Sequence, residues 1–114
     1  MVHSPRDDLD RTLGALADPT RRRLVEMLGE RGEASITAIA ERFAITLTGA
    51  RKHVRVLEEA EIVQSVKRGR TRTCSLTGRP LVGAMTWFDT YGQMLAARLD
   101  RLGELVEQQE GDPQ

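Results

Sequence analysis

Between Ile45 and Leu76 the sequence ITLTGARKHVRVLEEAEIVQSVKRGRTRTCSL switches its apolar period from helical to alternating with almost no loop between. On Thr46–Ala60 the apolar residues Ala50, Val54, Leu57 and, just beyond, Ile62 recur at near-helical spacing, and Arg51, Lys52, Arg55 and the Thr48–Gly49 pair fall outside that stripe. A core holds one side of such a helix, and the other side is cationic and free. Val63–Lys67 and Thr71–Leu76 then alternate β-branched and polar residues around Arg68–Gly69–Arg70, a turn whose glycine can take positive φ. Lys67, Arg68, Arg70 and Arg72 concentrate positive charge at its tip. A cationic helix beside a cationic hairpin suits a nucleic-acid duplex, with the helix in a groove and the hairpin on the flanking backbone.

The formal net charge of zero argues against such a partner until the distribution is considered. Arg42–Arg79 holds nine cations and three anions, and the remaining residues hold eight and fourteen. Segregation of this kind is the footprint of a directed electrostatic surface, with a solvated basic face as the plain alternative. At 114 residues the chain is expected to form one domain with one modest core. Its single cysteine, Cys74, excludes an internal disulfide and any multi-cysteine metal cluster within one chain. The longest uncharged run, Pro80–Phe88, is about half of a membrane span, and the start MVHSPRDD is too polar and acidic for a signal peptide. The expectation is a cytoplasmic protein with no membrane partner.

Along the chain, residues 1–8 read as a flexible tail containing His3, and residues 9–110 as a single domain. Leu9, Leu13 and Leu16 give the stripe of a first helix. Asp18–Pro19–Thr20 starts a second, about Pro19–Arg31, with Asp18 as cap and Pro19 at the first helical position. It is expected to bury Leu24, Val25 and Leu28 and to turn Arg21 and Arg22 outward, toward Glu26 or Glu30. Gly32–Ala34 reads as a loop. Ser35 caps a third helix, Ile36–Phe43, whose Ile36, Ile39, Ala40 and Phe43 face inward. A tight turn at Ala44–Ile45 joins it to the basic helix, so residues 35–60 form a helix-turn-helix and 62–76 its wing. The fold class is therefore mainly α with a β-hairpin (α+β): five helices, the hairpin lying between the fourth and fifth.

The fifth helix, 80–109, carries Leu81, Met85, Phe88, Gly92, Leu95, Leu99, Leu102 and Val106 at alternating spacings of four and three. That 3.5-residue seam is the mark of lengthwise packing on another helix, most economically its copy in a second subunit. The alternative is a helix that folds back on its own chain. Gly92 either allows close approach or weakens the helix by about 1 kcal/mol. Leu9 and Leu13 are assigned to the same dimer interface, and residues 111–114 read as a disordered tail.

Three segments carry a family resemblance: LGALADPTRRRLVEMLGERG at Leu13–Gly32, KHVRVLEEAEIV at Lys52–Val63 and KRGRTRTCSL at Lys67–Leu76. Together they resemble the ArsR family of bacterial winged-helix repressors, over about Leu9–Leu76 at least. The resemblance implies a homodimer that occupies an operator and blocks transcription, often of its own promoter. TWFDTYGQMLAARLDRLGELVEQ looks like the branch whose last helix pairs in the dimer without a metal-ligand set. Arg51 stands where the family commonly has serine or threonine, and its bidentate match to guanine points to a G-containing half-site. Glu61 replaces a usual glycine, so the turn into the wing is either less strained or holds a non-glycine residue near positive φ. Cys74 stands where many members have an aromatic residue.

The residues expected at double-stranded DNA are Thr46, Thr48, Gly49, Arg51, Lys52, His53 and Arg55 on the helix and Lys67, Arg68, Arg70 and Arg72 on the wing. Thr46 and Thr48 have capping as a second use, Gly49 would let the backbone approach, and His53 either packs structurally or donates to a phosphate. Metal sensing is not expected: SITAIAERF lacks cysteine, and the last helix has Asp89, Asp100 and Glu104 but no histidine. No cofactor and no catalytic constellation are expected, and the chain is not read as an enzyme. Cys74 reads as a small buried hydrophobe, with oxidation between subunits as the sharper alternative. Trp87, Phe88 and Tyr91 belong to core or seam, or else line a small-ligand pocket. A protein-interaction module without nucleic acid is the competing class. The effector stays unknown: abundance, a small apolar ligand and a partner protein remain open.

Overall fold

The computed structural model describes residues 4–111. The expected tail residues 1–3, His3 among them, and 112–114 lie outside the described residues. Four side-chain caps set the helix starts. Ser4, Asp18, Ser35 and Thr46 each accept the backbone amide three residues on, at 3.1, 3.0, 3.0 and 3.0 Å, satisfying donors that a helix leaves free. They open α1 (Pro5–Ala15), α2 (Pro19–Arg31), α3 (Ile36–Phe43) and α4 (Leu47–Glu59). Proline occupies the first position of α1 and α2, where its missing amide costs nothing. Because Ser4 and Pro5 supply a complete start signal, α1 begins four residues ahead of the Leu9 expected from the apolar stripe.

Two helices end in the same way without glycine. After α3, Ala44 is left-handed at φ 52° and the Ile45 amide returns to the Ala40 carbonyl at 3.0 Å. After α4, Glu61 is left-handed at φ 61° and the Ile62 amide returns to the Leu57 carbonyl at 2.9 Å. Both are six-to-one closures of the Schellman type. Of the two possibilities at Glu61, the second therefore holds: a non-glycine residue sits at positive φ, its carbonyl accepting the Thr77 hydroxyl.

The wing strands are β2 (Val63–Arg68) and β3 (Thr71–Leu76), antiparallel, with Val63 opposite Leu76 and Arg68 opposite Thr71. Their loop is the two residues Gly69–Arg70, one fewer than expected. Gly69 alone takes positive φ, at 65°, which matches the type II′ hairpin turn. The segment read as a loop, Gly32–Ala34, is corrected by the structure: Glu33–Ser35 forms a third strand, β1, paired antiparallel to β3 with Ala34 opposite Cys74. Three residues are too few for a period, but they satisfy the outer edge of β3.

The core lies between α2, α3, α4 and the sheet. Leu24, Leu28, Ile39, Val54, Leu57, Ile62 and Cys74 are fully buried there. Met27 joins them, while Val25 is only half-buried. The last helix, α5, runs Arg79–Gly111, about 50 Å at 1.5 Å per residue. The chain divides into two compact units, one through Ala84 and one from Met85. In the first, Leu81 packs against the core and Ala84 is buried. In the second, Met85, Phe88, Leu95, Leu99 and Leu102 are all exposed.

A left-handed non-glycine residue costs about 1–2 kcal/mol, and the Glu61 side chain is exposed. Glu61→Gly is therefore expected to raise unfolding stability by about 0.5–1 kcal/mol once glycine's extra chain entropy is subtracted. Urea denaturation of the two proteins measures it, and equal or lower stability of the variant contradicts the strain.

Candidate nucleic-acid interface

Helix α4 is fixed from behind. Ala50, Val54 and Leu57 are buried, which leaves Thr48, Arg51, Lys52 and Arg55 exposed together on the opposite side. The two threonines separate here. Thr46 uses its hydroxyl oxygen on the Gly49 amide, whereas Thr48 is exposed on the cationic face. Gly49 belongs to the cap as well: a Cβ there would stand 3.2 Å from the Thr46 hydroxyl oxygen, tighter than ordinary contact.

His53 is half-buried, with Nδ1 3.5 Å from Nη1 of Arg21. A guanidinium only donates, so Nδ1 is on the accepting side of that contact. Arg21 itself is held by α1: its Nε donates to the Ala15 carbonyl at 2.6 Å and its Nη2 to that of Gly14 at 3.4 Å. Arg22 donates to the carbonyls of Leu16 and Ala17 at 2.7 and 3.1 Å. The expected use of these arginines, pairing with Glu26 or Glu30, is replaced by this clamp on the carbonyls at and just beyond the end of α1, of which that of Gly14 also accepts the Ala17 amide. Asp18 completes the corner. The Arg21 amide, with the Arg21 charge behind it, holds the Asp18 carboxyl below its ordinary value of 3.8, outweighing a desolvation that acts the other way.

On the wing, Lys67, Arg68, Arg70 and Arg72 are all exposed, and Lys67 and Arg72 are direct cross-strand partners. Two of the four are already engaged. Arg72 donates to the Ser65 hydroxyl at 2.9 Å, and Ser65 donates to Oε1 of Glu58 on α4 at 2.8 Å. This chain ties the wing to the last turn of α4. Arg68 lies 3.8 Å from Glu33 of β1, both well exposed, so the pair is worth little in water. Neither partner stood out in the sequence, because Ser65 meets Arg72 across the hairpin and Glu33 reaches Arg68 from the far side of β3.

Cys74 is fully buried in β3, opposite Ser65. Burial, reinforced by the Glu58 charge and opposed by Arg72, pushes its thiol up to about 11. The small-hydrophobe reading fits that environment. Of the residues assigned to a dimer interface, Leu9 and Leu13 on α1 are half-buried, and Leu81 belongs partly to the core. Around Gly92 there is open space for a side chain. Trp87 packs edge-on to Phe88, with ring centres 5.3 Å apart, and tilted against Tyr91 at 5.0 Å. Among the described residues no group of three or more His, Cys, Asp or Glu side chains is placed to hold a metal ion, and no helix is long and apolar enough to cross a membrane.

Residues 16–66 match a helix-turn-helix domain family. The transcriptional repressor SdpR of Bacillus subtilis is 30% identical over 73 residues, which cover 64% of this chain and 80% of that protein. The crystal structure of the ArsR family transcriptional regulator RHA00566 superimposes with a TM-score of 0.73 at 31% identity, covering 84% of this chain and 97% of its own. The chain belongs to the ArsR family of transcriptional regulators. The fold alone is shared with the homodimeric winged helix-turn-helix DNA-binding domain Mb0332 of Mycobacterium bovis, at 22% identity, a TM-score of 0.62 and coverage of 77% and 82%. In this ArsR-family chain the LADPTRRR segment is a structural corner: cap, first-position proline and two carbonyl clamps in eight residues.

Losing the cap in Thr46→Ala is expected to cost about 1 kcal/mol of stability, and Thr48→Ala less than about 0.5 kcal/mol. Comparable losses at the two positions in urea melts contradict the division of roles. In acid, the lowered Asp18 carboxyl stabilises the fold at neutral pH and loses that contribution as pH falls below about 4, because the unfolded chain binds the proton first. Asp18→Asn should flatten that part of the stability profile. At the alkaline end the raised Cys74 thiol favours the fold below about pH 9 and loses its contribution as pH climbs toward 11. Native protein at pH 8 should accordingly resist alkylation, and unfolded protein should react at once.

Proposed function

We propose that this regulator is a homodimeric repressor, acting in the cytoplasm by occupancy and not by catalysis, that binds a pseudo-palindromic operator in double-stranded DNA. The observation that carries the reading is the division of α4 into a face locked in the core and a face bearing Thr48, Arg51, Lys52 and Arg55, with four exposed wing cations beyond it. The first set suits a major groove and the second the flanking phosphates, which supply affinity more than specificity. Residues 35–60 act as the helix-turn-helix, 62–76 as the wing and 80–109 as the dimerisation helix of one functional domain. The apolar side chains exposed from Met85 to Val106 support a second copy as their cover. Repression agrees with the activity named for the Bacillus subtilis relative, and two-fold assembly with that named for the Mycobacterium bovis domain.

The test is fluorescence anisotropy with the full chain and duplexes tiled across the region upstream of its coding sequence, at two salt concentrations with excess random DNA. Two subunits saturating one segment despite the competitor is the expected result, with half-site centres about 34–36 Å apart. Binding erased equally by random DNA contradicts self-repression, and no binding at low salt favours a protein-interaction role. Arg51→Ala should weaken the operator more than random sequence. Arg70→Ala should weaken both and reduce the salt slope by about one for each phosphate that the side chain neutralises in the wild type.

A further inference from the structure

We infer that Leu47 is a specificity-determining residue, reading the C5-methyl group of a thymine next to the base that Arg51 contacts in each half-site. The inference rests on the DNA-binding reading above and adds to it a residue that the cationic pattern left out.

Leu47 is the first residue of α4 after its Thr46 cap and is 42% exposed. It is neither a core residue nor one of the half-buried apolar residues packed against the core. Outside α5, Leu47 and the wing residue Val66 are the two large apolar side chains that stand exposed among the described residues, and both lie within the cationic surface. Helical side chains lean toward the N-terminus, so at the first position Leu47 projects past the end of the helix. That end is what meets base edges when a recognition helix enters the major groove. Leu47 also stands four residues before Arg51, on the same ridge of the helix, so the two reach neighbouring positions along the groove. A leucine has no donor or acceptor to offer there. Of the groups that base pairs present in the major groove, the thymine methyl is the one that an apolar side chain matches.

The experiment selects preferred duplexes from a randomised pool with the full chain, then replaces each thymine of the selected site in turn by deoxyuridine, which removes the methyl and keeps the pairing. At one thymine in each half-site the wild type should lose about fourfold in affinity, the worth of one buried methyl-sized group. Leu47→Ala should bind the thymine and deoxyuridine duplexes alike, with an unchanged unfolding midpoint, and Leu47→Met should recover the discrimination. A wild type indifferent to every replacement, a selected half-site without thymine, or a Leu47→Ala protein that still discriminates overturns the assignment and leaves DNA binding standing. If no duplex is enriched, the DNA-binding reading falls, and this inference falls with it.

Discussion

Everything at the candidate interface depends on the burial of one stripe of α4. Ala50, Val54 and Leu57 are removed from water against α2, α3 and the sheet, and the larger of these side chains contribute about 1.5–3 kcal/mol each. Because a helix is rigid, fixing that stripe fixes the direction in which every side chain leaves the opposite face. Thr48, Arg51, Lys52 and Arg55 thus need no contacts of their own to be held in one array. The cost of ordering α4 is met by the core, which leaves its charged face to be chosen for chemistry instead of stability.

The same economy governs the connections. A left-handed residue closes both α3 and α4 and sends the chain on within two residues, which makes the helix-turn-helix and the helix-to-wing junction short. The Glu58–Ser65–Arg72 chain then spans that second junction from the side, so helix and wing are joined through both backbone and side chains. On the opposite flank, Arg21 links the end of α1 to His53 on α4. The cationic helix is consequently braced by side-chain contacts to α1 and to the wing.

How much of this was legible in the sequence follows from which forces act locally. The caps at Asp18 and Ser35, the apolar stripes and the charged turn around Gly69 all depend on residues within one or two turns of each other and could be read directly, whereas at Thr46 the cap was one of two uses that the sequence left open. Strand β1 could not, because Glu33–Ser35 is held in place by β3, about forty residues away. Arg21 and Arg22 looked like ordinary surface cations, since their carbonyl partners carry no sequence signal at all. Glu58 and Ser65 meet only once the wing folds back. Leu47 was passed over for a different reason: an apolar residue at a helix start reads as core, and only its exposure separates it from Ile45.

The pair of Arg68 and Glu33 at the wing gives the surface an asymmetry of its own. An arginine that rests beside a carboxylate arrives at any polyanion with a counter-ion supplied by its own chain. At 3.8 Å, with both side chains well exposed, the contact is loose enough for the arginine to exchange Glu33 for a phosphate at little cost. β1, the strand of three residues at the edge of the sheet, thus sets beside the wing a carboxylate that a polyanion can displace.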